Sequence, residues 1–338
     1  MKQCIVGSGL IGSFLGSVIA LNGGDIKLVA RGEWLARLQQ PLTLTDYKGH
    51  KANVPAANIH SPNVTEKYDV IWLTVKCTAL KDMANVLSPL LHPRSIIICC
   101  QNGVGSHHIM LRAFPHHQVL RAMVPFNVVV QGQHLHKGSQ GELVIEDSGD
   151  KTLNQRLLST VRHNLLEAHI SDDIEPVQWA KLQLNLGNGV NALADMPVKA
   201  MLQQRPYRRV IASLMDELLN VTGAAGITLP KVANIHGRWI PRVLRLPNGL
   251  FTLLAKQMLD IDPSVKTSMW WDLNNGKTTE KTFLYGAVVS KAEELNVAVP
   301  YNRAIISLLR EAEEQGNKQH RYRALSPETL EARVREQM

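Results

Sequence analysis

Cys4-Ile5-Val6-Gly7-Ser8-Gly9-Leu10-Ile11-Gly12 is the stretch that decides the fold of this 338-residue chain. An apolar run leads into three glycines spaced Gly-x-Gly-x-x-Gly, and apolar residues then recur to Leu21, which predicts a buried strand, a tight turn and a helix. In this spacing the glycines serve the turn, the approach of a pyrophosphate and close packing of helix on strand. The stretch therefore predicts a dinucleotide site formed by Gly7, Ser8, Gly9, Leu10, Ile11 and Gly12.

Arg31 follows the predicted second strand, residues 25–30. At this point a carboxylate binds the ribose hydroxyls of NAD, whereas an arginine can pair with the 2′-phosphate of NADP. Arg31 therefore favours NADPH/NADP+ as the cofactor. Glu33 keeps NAD open as an alternative, and a solvated arginine is the structural alternative for Arg31.

Lys76 and Asn102 come directly after two further predicted strands, residues 68–75 and 95–100. Ligands of open parallel sheets bind beyond the carboxyl ends of the strands, so both residues are candidates for cofactor or substrate contact. A surface lysine and a plain Asn-Gly turn explain them equally well. Residues 41–64 predict a small β-rich excursion, residues 119–130 and 142–146 predict strands, and residues 131–141 predict a polar connection.

The composition is that of a globular protein, with 45% hydrophobic and 20% charged residues. The net charge of +8 suits an anionic partner, but the basic residues are scattered, so we expect no nucleic-acid binding. We also expect no membrane span and no metal site. The four cysteines lie in or beside apparent core strands, which favours reduced thiols and a cytoplasmic protein. The uncharged run after Lys2 imitates a signal peptide, but its glycine spacing and the strand that follows favour the nucleotide-binding unit.

The pattern changes from mixed α/β to helical near residue 170. We therefore predict an α/β protein with an N-terminal Rossmann dinucleotide-binding domain, residues 1–170, and an all-α C-terminal domain, residues 171–338. The second half begins with a predicted helix on which Lys181, Asn185 and Asn188 share one polar face. A solvated lysine is the structural alternative, but asparagines are poor helix formers and point to a hydrogen-bonding role.

Glu280 opens a later predicted helix, with Thr278 or Thr279 as its cap. A carboxylate in the first turn favours the helix dipole, and this alone is a sufficient structural reason for it.

Together these motifs resemble the ketopantoate reductase family, NADPH-dependent enzymes that reduce 2-dehydropantoate to pantoate for pantothenate synthesis. The resemblance runs nearly end to end. It is carried by the glycine loop, Arg31, Thr74-Val75-Lys76, Gln101-Asn102-Gly103-Val104-Gly105, Trp179-x-Lys181-Leu182-x-x-Asn185, Ser268-Met269-x-x-Asp272, Glu280, Gly286 and Pro300-x-Asn302.

The resemblance implies that Lys181 is the general acid and that Glu280 hydrogen-bonds the substrate. It implies that Ser268 contacts the substrate carboxylate, with Asp272 of the same motif also on the substrate side. Asn102, Asn185 and Lys76 fall on positions that contact substrate or nicotinamide. We expect a small 2-oxo acid as substrate and a homodimer as the assembly.

Three positions depart from the family pattern: Gly189 stands where a second asparagine is usual, and Thr282 and Tyr285 replace acidic and asparagine residues. These departures leave three alternatives open. They are a paralogous NADPH-dependent reductase of another 2-oxo acid, a different dehydrogenase of the same architecture, and a non-catalytic NADP(H)-binding regulator.

Overall fold

The computed structural model describes residues 1–56, 59–60, 66–231, 236–255, 263–319 and 322–336. The chain divides into two compact units, Met1–Ile174 and Glu175–Met338.

The first unit alternates strands and helices through most of its length. Its elements are β1 (Lys2–Val6), α1 (Leu10–Leu21), β2 (Asp25–Val29), α2 (Gly32–Leu38), β3 (Leu42–Asp46), β4 (Lys51–Val54), β5 (Ile59–His60), β6 (Tyr68–Leu73), α3 (Met83–Leu87), β7 (Leu91–Cys99), α4 (His107–Ala113), β8 (Gln118–Met123), β9 (Val128–Gln131), β10 (His134–Lys137), β11 (Leu143–Glu146), α5 (Lys151–Val161) and β12 (Ala168–Ser171).

Eight of these strands form one sheet in the order β12-β11-β8-β7-β6-β1-β2-β5, in which every pairing is parallel except that of β8 with β11. The central strands are apolar and almost wholly buried, as a parallel sheet covered on both faces requires. The chain runs from β1 to β2 on one side and later places β6 on the other side. This reversal of direction beside β1 is where doubly wound sheets bind nucleotides. The predicted α/β class with an N-terminal Rossmann-type sheet is confirmed.

A second, four-stranded sheet has the order β4-β3-β10-β9. The predicted excursion supplies β3 and β4, but the prediction of a connection over residues 131–141 was wrong, because His134–Lys137 is a strand. Strand β10 pairs in parallel with β3, and its Leu135 is completely buried. A pairing between segments so far apart in sequence leaves no local signal in either of them.

The second unit is helical throughout its described residues, apart from loops and turns. Its helices are α6 (Ile174–Asn185, which begins at the last residue of the first unit), α7 (Gly187–Ala194), α8 (Val198–Leu202), α9 (Arg205–Ala224), α10 (Ile240–Leu244), α11 (Asn248–Leu254), α12 (Ser268–Asn274), α13 (Lys281–Leu295), α14 (Pro300–Gln319) and α15 (Pro327–Glu336). Glu217 of α9 accepts hydrogen bonds from the backbone nitrogens of Tyr301 and Asn302 and from the Asn302 amide, so it caps the buried start of α14.

Candidate active site

Four adjacent parallel strands of the first unit end beside the predicted cofactor residues. The strands are β7, β6, β1 and β2. Gly7 follows β1, Arg31 lies two residues after β2, Lys76 lies three residues after β6, and Asn102 lies three residues after β7. Because the strands are parallel, these four residues share the carboxyl edge of the sheet.

Two of the three loop glycines are required by close packing. Gly7 has φ +108°, and a Cβ added there would lie 2.5 Å from the Val75 nitrogen. A Cβ on Gly12 would lie 2.5 Å from both the Gly7 oxygen and the Thr74 hydroxyl oxygen. At Gly9, by contrast, nothing lies within 4 Å of an added Cβ. The loop is thus packed against the sheet on one side and open at its second glycine, which fits a pyrophosphate close to the backbone.

Hydrogen bonds to neighbouring strands fix this loop. The Ser8 hydroxyl donates to the Val29 oxygen at 2.9 Å, and the Thr74 hydroxyl donates to the Gly7 oxygen at 2.8 Å. Helix α1 then begins at Leu10 without an acidic residue in its first turn and without a side-chain cap. The amide groups and the positive end of its dipole are therefore available to an anion.

Arg31 is exposed at the N-cap position of α2. Its guanidinium makes no hydrogen bond or ion pair with the described part of the chain. Glu33, which had kept NAD open, pairs with Arg37 one turn along the same helix at 2.5 Å. The acid therefore has a structural partner of its own, whereas the arginine makes no such pair with the described part of the chain.

Lys76 and Asn102 are both exposed at this edge. Lys76 is the N-cap residue of a 3₁₀ helix, Cys77–Asp82, and the backbone oxygen of Asn102 accepts a hydrogen bond from the Cys77 thiol at 3.2 Å. Beside them, the Gln101 amide donates to the Leu73 oxygen at 2.7 Å and so holds the end of β7 to the end of β6. Gln101, the first residue of the motif that contains Asn102, thus has a structural role that its place in the motif did not indicate.

In the second unit, Lys181 lies on α6 and is partly buried. Burial lowers the pKa of its ammonium group from the ordinary value of 10.5, because the charged form loses hydration. A lysine with a lowered pKa gives up a proton more readily near neutral pH, as a general acid must.

The single helix predicted through Asn188 was wrong. Helix α6 ends at Asn185 and α7 begins at Gly187, so Asn188 is not on the helix of Lys181. The break has a definite cause. The Tyr285 hydroxyl donates to the Leu186 oxygen at 2.8 Å and accepts from the Gly189 nitrogen at 2.7 Å, and so inserts between the two helices. A Cβ on Gly189 would lie 2.4 Å from that hydroxyl oxygen. Gly189 and Tyr285, two of the three departures from the family pattern, therefore pack directly against each other.

Ser268 and Asp272 lie on α12 in different environments, because Ser268 is exposed and Asp272 is 4% exposed. The start of this helix is tied to α7: the Thr267 nitrogen donates to the Asn191 side chain at 3.0 Å, and the Thr267 hydroxyl donates to the Asn188 oxygen at 3.3 Å. Trp271, one turn after Ser268, is 55% exposed.

Glu280 is the N-cap residue of α13 and is 9% exposed. The predicted caps, Thr278 and Thr279, were therefore wrong. The Glu280 carboxylate makes no capping hydrogen bond to α13, so helix capping does not explain this acid. The adjacent Thr279 is instead held by Glu313 of α14. That contact comes from a residue outside all the sequence motifs.

Two negative findings concern only the residues that the structure describes. They contain no group of three or more His, Cys, Asp or Glu side chains able to hold a metal ion. None of their helices is long and apolar enough to cross a bilayer.

Two family profiles match the chain. "Ketopantoate reductase PanE/ApbA" matches residues 3–150, and "Ketopantoate reductase PanE/ApbA C terminal" matches residues 173–313. The chain belongs to the ketopantoate reductase family. Members of this family are oxidoreductases that act on a keto or hydroxyl group, and the family binds a nicotinamide dinucleotide.

Relatives of this ketopantoate reductase family member differ in how they are named. The chain is 26% identical to the uncharacterized oxidoreductase YkpB of Bacillus subtilis (strain 168), over 89% of this chain and 95% of the relative. It is 24% identical to the 2-dehydropantoate 2-reductase of Archaeoglobus fulgidus, over 91% of this chain and 97% of the relative.

Solved structures share the fold. A PanE/ApbA family ketopantoate reductase from Ralstonia eutropha JMP134 has a TM-score of 0.75 and 25% identity, covering 94% of this chain and 100% of the other. D-mandelate dehydrogenase with NADH and anilino(oxo)acetate has a TM-score of 0.74 and 20% identity, with the same coverage. A dimeric ketopantoate reductase from Staphylococcus aureus has a TM-score of 0.70 and 20% identity, covering 93% and 99%.

Proposed function

We propose that this protein is an NADPH-dependent reductase of a 2-oxo acid, with 2-dehydropantoate as its substrate and pantoate as its product. The observation that carries the proposal is Lys181, a helix lysine whose ammonium pKa is lowered by burial, in a chain of the ketopantoate reductase family. The reaction needs a proton donor at the ketone oxygen, and this lysine has the properties of one.

The residues at the carboxyl edge of the first unit's sheet fit a dinucleotide. The open position at Gly9 and the uncapped amides of α1 would hold the pyrophosphate. Arg31 would hold the 2′-phosphate that distinguishes NADPH from NADH, and Lys76 and Asn102 would bind nearer the nicotinamide. When bound, NADPH supplies the hydride. Residues 1–170 would thus be the NADP(H)-binding domain and residues 171–338 the substrate and catalytic domain.

The side chains of this protein would stabilise the charge that develops on the substrate and orient the substrate. As the keto carbon is reduced, negative charge develops on its oxygen, and Lys181 Nζ stabilises that charge and transfers a proton to it. The N–H bond breaks, an O–H bond forms, and the amine is reprotonated from water. Ser268 and Asn185 would donate hydrogen bonds to the substrate carboxylate, with Asp272 supporting the same helix. Glu280 would accept a hydrogen bond from a substrate hydroxyl.

The first test mixes the protein with NADPH and 2-dehydropantoate and follows the loss of reduced nicotinamide absorbance. The Lys181→Ala variant should lose at least about 100-fold in kcat, because general acid catalysis contributes about 10² to 10⁴ in rate. NADPH binding, followed by nicotinamide fluorescence, should persist. Near-normal kcat in the variant would refute the role of Lys181. If NADPH binds but no 2-oxo acid is reduced, the protein is a non-catalytic regulator.

A second candidate is a paralogous reductase of a 2-oxo acid with a larger apolar side chain. Trp271 favours it, because this exposed indole lies one turn from Ser268 and a helix side chain leans toward the preceding turn. An aromatic face beside the carboxylate contact would select flat or bulky substrates. Phenylglyoxylate and branched 2-oxo acids belong in the same assay, and a kcat/KM above that of 2-dehydropantoate would favour this candidate.

The cellular compartment and the oligomeric state can also be proposed. The buried, free cysteines fit a reducing compartment, so we propose a cytoplasmic location. One similar structure is described as dimeric, so we propose a homodimer.

A further inference from the structure

Glu313 holds both residues that flank Glu280 in the chain. One of its carboxylate oxygens accepts from the Thr279 nitrogen at 2.8 Å and from the Thr279 hydroxyl at 2.7 Å. The other oxygen pairs with the ammonium group of Lys281. The carboxylate of Glu313 therefore binds the residue immediately before and the residue immediately after Glu280.

This contact set is removed from water. Thr279 is 2% exposed and Lys281 is 8% exposed, and the side chain of Glu313 is only 15% exposed. Charged hydrogen bonds in such surroundings are stronger and more directional than ion pairs at the surface, because water does not compete for the same groups. Other acids of α14 differ: Glu311 pairs with Arg333 at 2.6 Å with both side chains more than a third exposed.

The contacts of Glu313 lie at the start of α13, where the backbone passes from a loop into the helix. Glu280 is the N-cap residue of α13, with φ −81° and ψ 22°, and the helix begins at Lys281. The direction of the Glu280 side chain therefore depends on how residues 279 and 281 are held. The residue that holds them, Glu313, lies on α14, more than 30 residues later in the chain.

We propose that Glu313 is a positioning residue that sets the orientation of the Glu280 carboxylate toward the substrate. This inference rests on the proposed function, in which Glu280 accepts a hydrogen bond from the 2-oxo acid. Misplacing a group that contacts the substrate by about 1 Å can cost up to about 100-fold in rate. Removing Glu313 should therefore impair use of the 2-oxo acid, although Glu313 itself touches no substrate.

The test compares Glu313→Ala and Glu313→Gln with the matched control Glu311→Gln on the same helix. Glu313→Ala should lower kcat/KM for the 2-oxo acid by about 10-fold or more, with the Kd for NADPH unchanged. Glu313→Gln keeps an acceptor for Thr279 and loses the one for Lys281, so its loss should be smaller than that of Glu313→Ala. Glu311→Gln should stay within about twofold of the wild type, because a solvated surface pair contributes little. Equal losses in kcat/KM for Glu313→Ala and the control would overturn the proposal.

A double variant separates positioning from a general effect on folding. In a Glu280→Gln background the carboxylate that Glu313 orients is already gone, so adding Glu313→Ala should lower kcat/KM by less than about twofold. A second full loss, multiplied onto that of Glu280→Gln, would show that Glu313 does not act through Glu280 and would overturn the inference while leaving the proposed function intact. A wild-type protein that reduces no 2-oxo acid would instead overturn the proposed function, and with it the role given to Glu313.

Discussion

Replacing Tyr285 by phenylalanine should destabilise the second unit without creating a cavity. The side chain is fully buried, and its hydroxyl hydrogen-bonds two buried backbone groups, the Gly189 nitrogen and the Leu186 oxygen. Each buried group that loses its partner costs about 1–3 kcal/mol, partly offset because the hydroxyl no longer has to be desolvated. We expect a net loss of about 2–4 kcal/mol in the free energy of unfolding.

Urea unfolding followed by tryptophan fluorescence measures this loss, since four of the six tryptophans, Trp179, Trp239, Trp270 and Trp271, belong to the second unit. The matched control is Tyr207→Phe. Tyr207 is equally buried, but its hydroxyl donates a single hydrogen bond, to the Leu325 oxygen at 2.6 Å. The control should lose about 1 kcal/mol. If Tyr285→Phe loses no more than Tyr207→Phe, the hydroxyl is not what joins α6 to α7.

Gly189→Ala provides a second arm of the same experiment. Its new methyl group would lie 2.4 Å from the Tyr285 hydroxyl oxygen, and overpacking of this kind costs about 1–3 kcal/mol. In the Tyr285→Phe background that oxygen is absent, so the double variant should lose clearly less than the sum of the two single variants. Strict additivity would contradict the coupling between these two positions.

Three further predictions concern the reaction. Arg31→Ala should raise the Kd for NADPH by about 10- to 100-fold, because a charged hydrogen bond to the 2′-phosphate is lost. The Kd for NADH should stay nearly unchanged. Equal increases in both Kd values would refute the role of Arg31 in binding the 2′-phosphate. The rate should fall as pH rises through the lowered pKa of Lys181, because the acid must be protonated, and this alkaline limb should lie below pH 10.5 and vanish in Lys181→Ala. Trp271→Ala should lower kcat/KM for phenylglyoxylate several-fold more than for pyruvate, whereas Trp239→Ala, which removes an exposed tryptophan from another segment, should change neither.

Burial of Lys181 also makes the free energy of unfolding depend on pH. Its folded pKa lies below the unfolded value, so between the two values the unfolded chain binds more protons than the folded one. The contribution of this lysine to folding therefore becomes more favourable as pH rises through that window. A variant such as Lys181→Met should lose this dependence in unfolding experiments at different pH values.

Local patterns in the sequence were sufficient to predict the parallel sheet. Strands such as Ile96–Cys99 are continuous apolar runs, and the glycine loop carries its own geometric requirement, which the close contacts at Gly7 and Gly12 satisfy. The second sheet could not be found in this way, because β10 is a polar-looking segment whose partner, β3, lies about 90 residues earlier in the chain. Long-range pairing, not propensity, makes it a strand.

The sequence offered candidates for the residues proposed to carry the chemistry, but it did not indicate the residues that support them. Lys181 and Arg31 were candidates by residue type and position, whereas the role of Glu280 came only from the resemblance to the family. The break between α6 and α7 was missed because its cause, Tyr285, lies about 100 residues later in the chain. Gly189 and Tyr285 were recognised as separate departures from the family pattern, and only their contact in three dimensions shows that each accommodates the other. Glu313 carried no sequence signal at all.

Unfolding of the first unit can be followed through its cysteines, which are Cys4, Cys77, Cys99 and Cys100. All are free, buried and confined to the first 100 residues, and the second unit contains none. Burial raises the pKa of Cys4 and Cys99 to about 12, so their thiols should resist alkylation while the sheet is closed. Labelling with a thiol reagent therefore times the opening of the first unit alone, with no engineered probe. Read beside tryptophan fluorescence, to which both units contribute because Trp34 and Trp72 lie in the first unit, it would distinguish unfolding of the first unit from unfolding of the whole chain in a single sample.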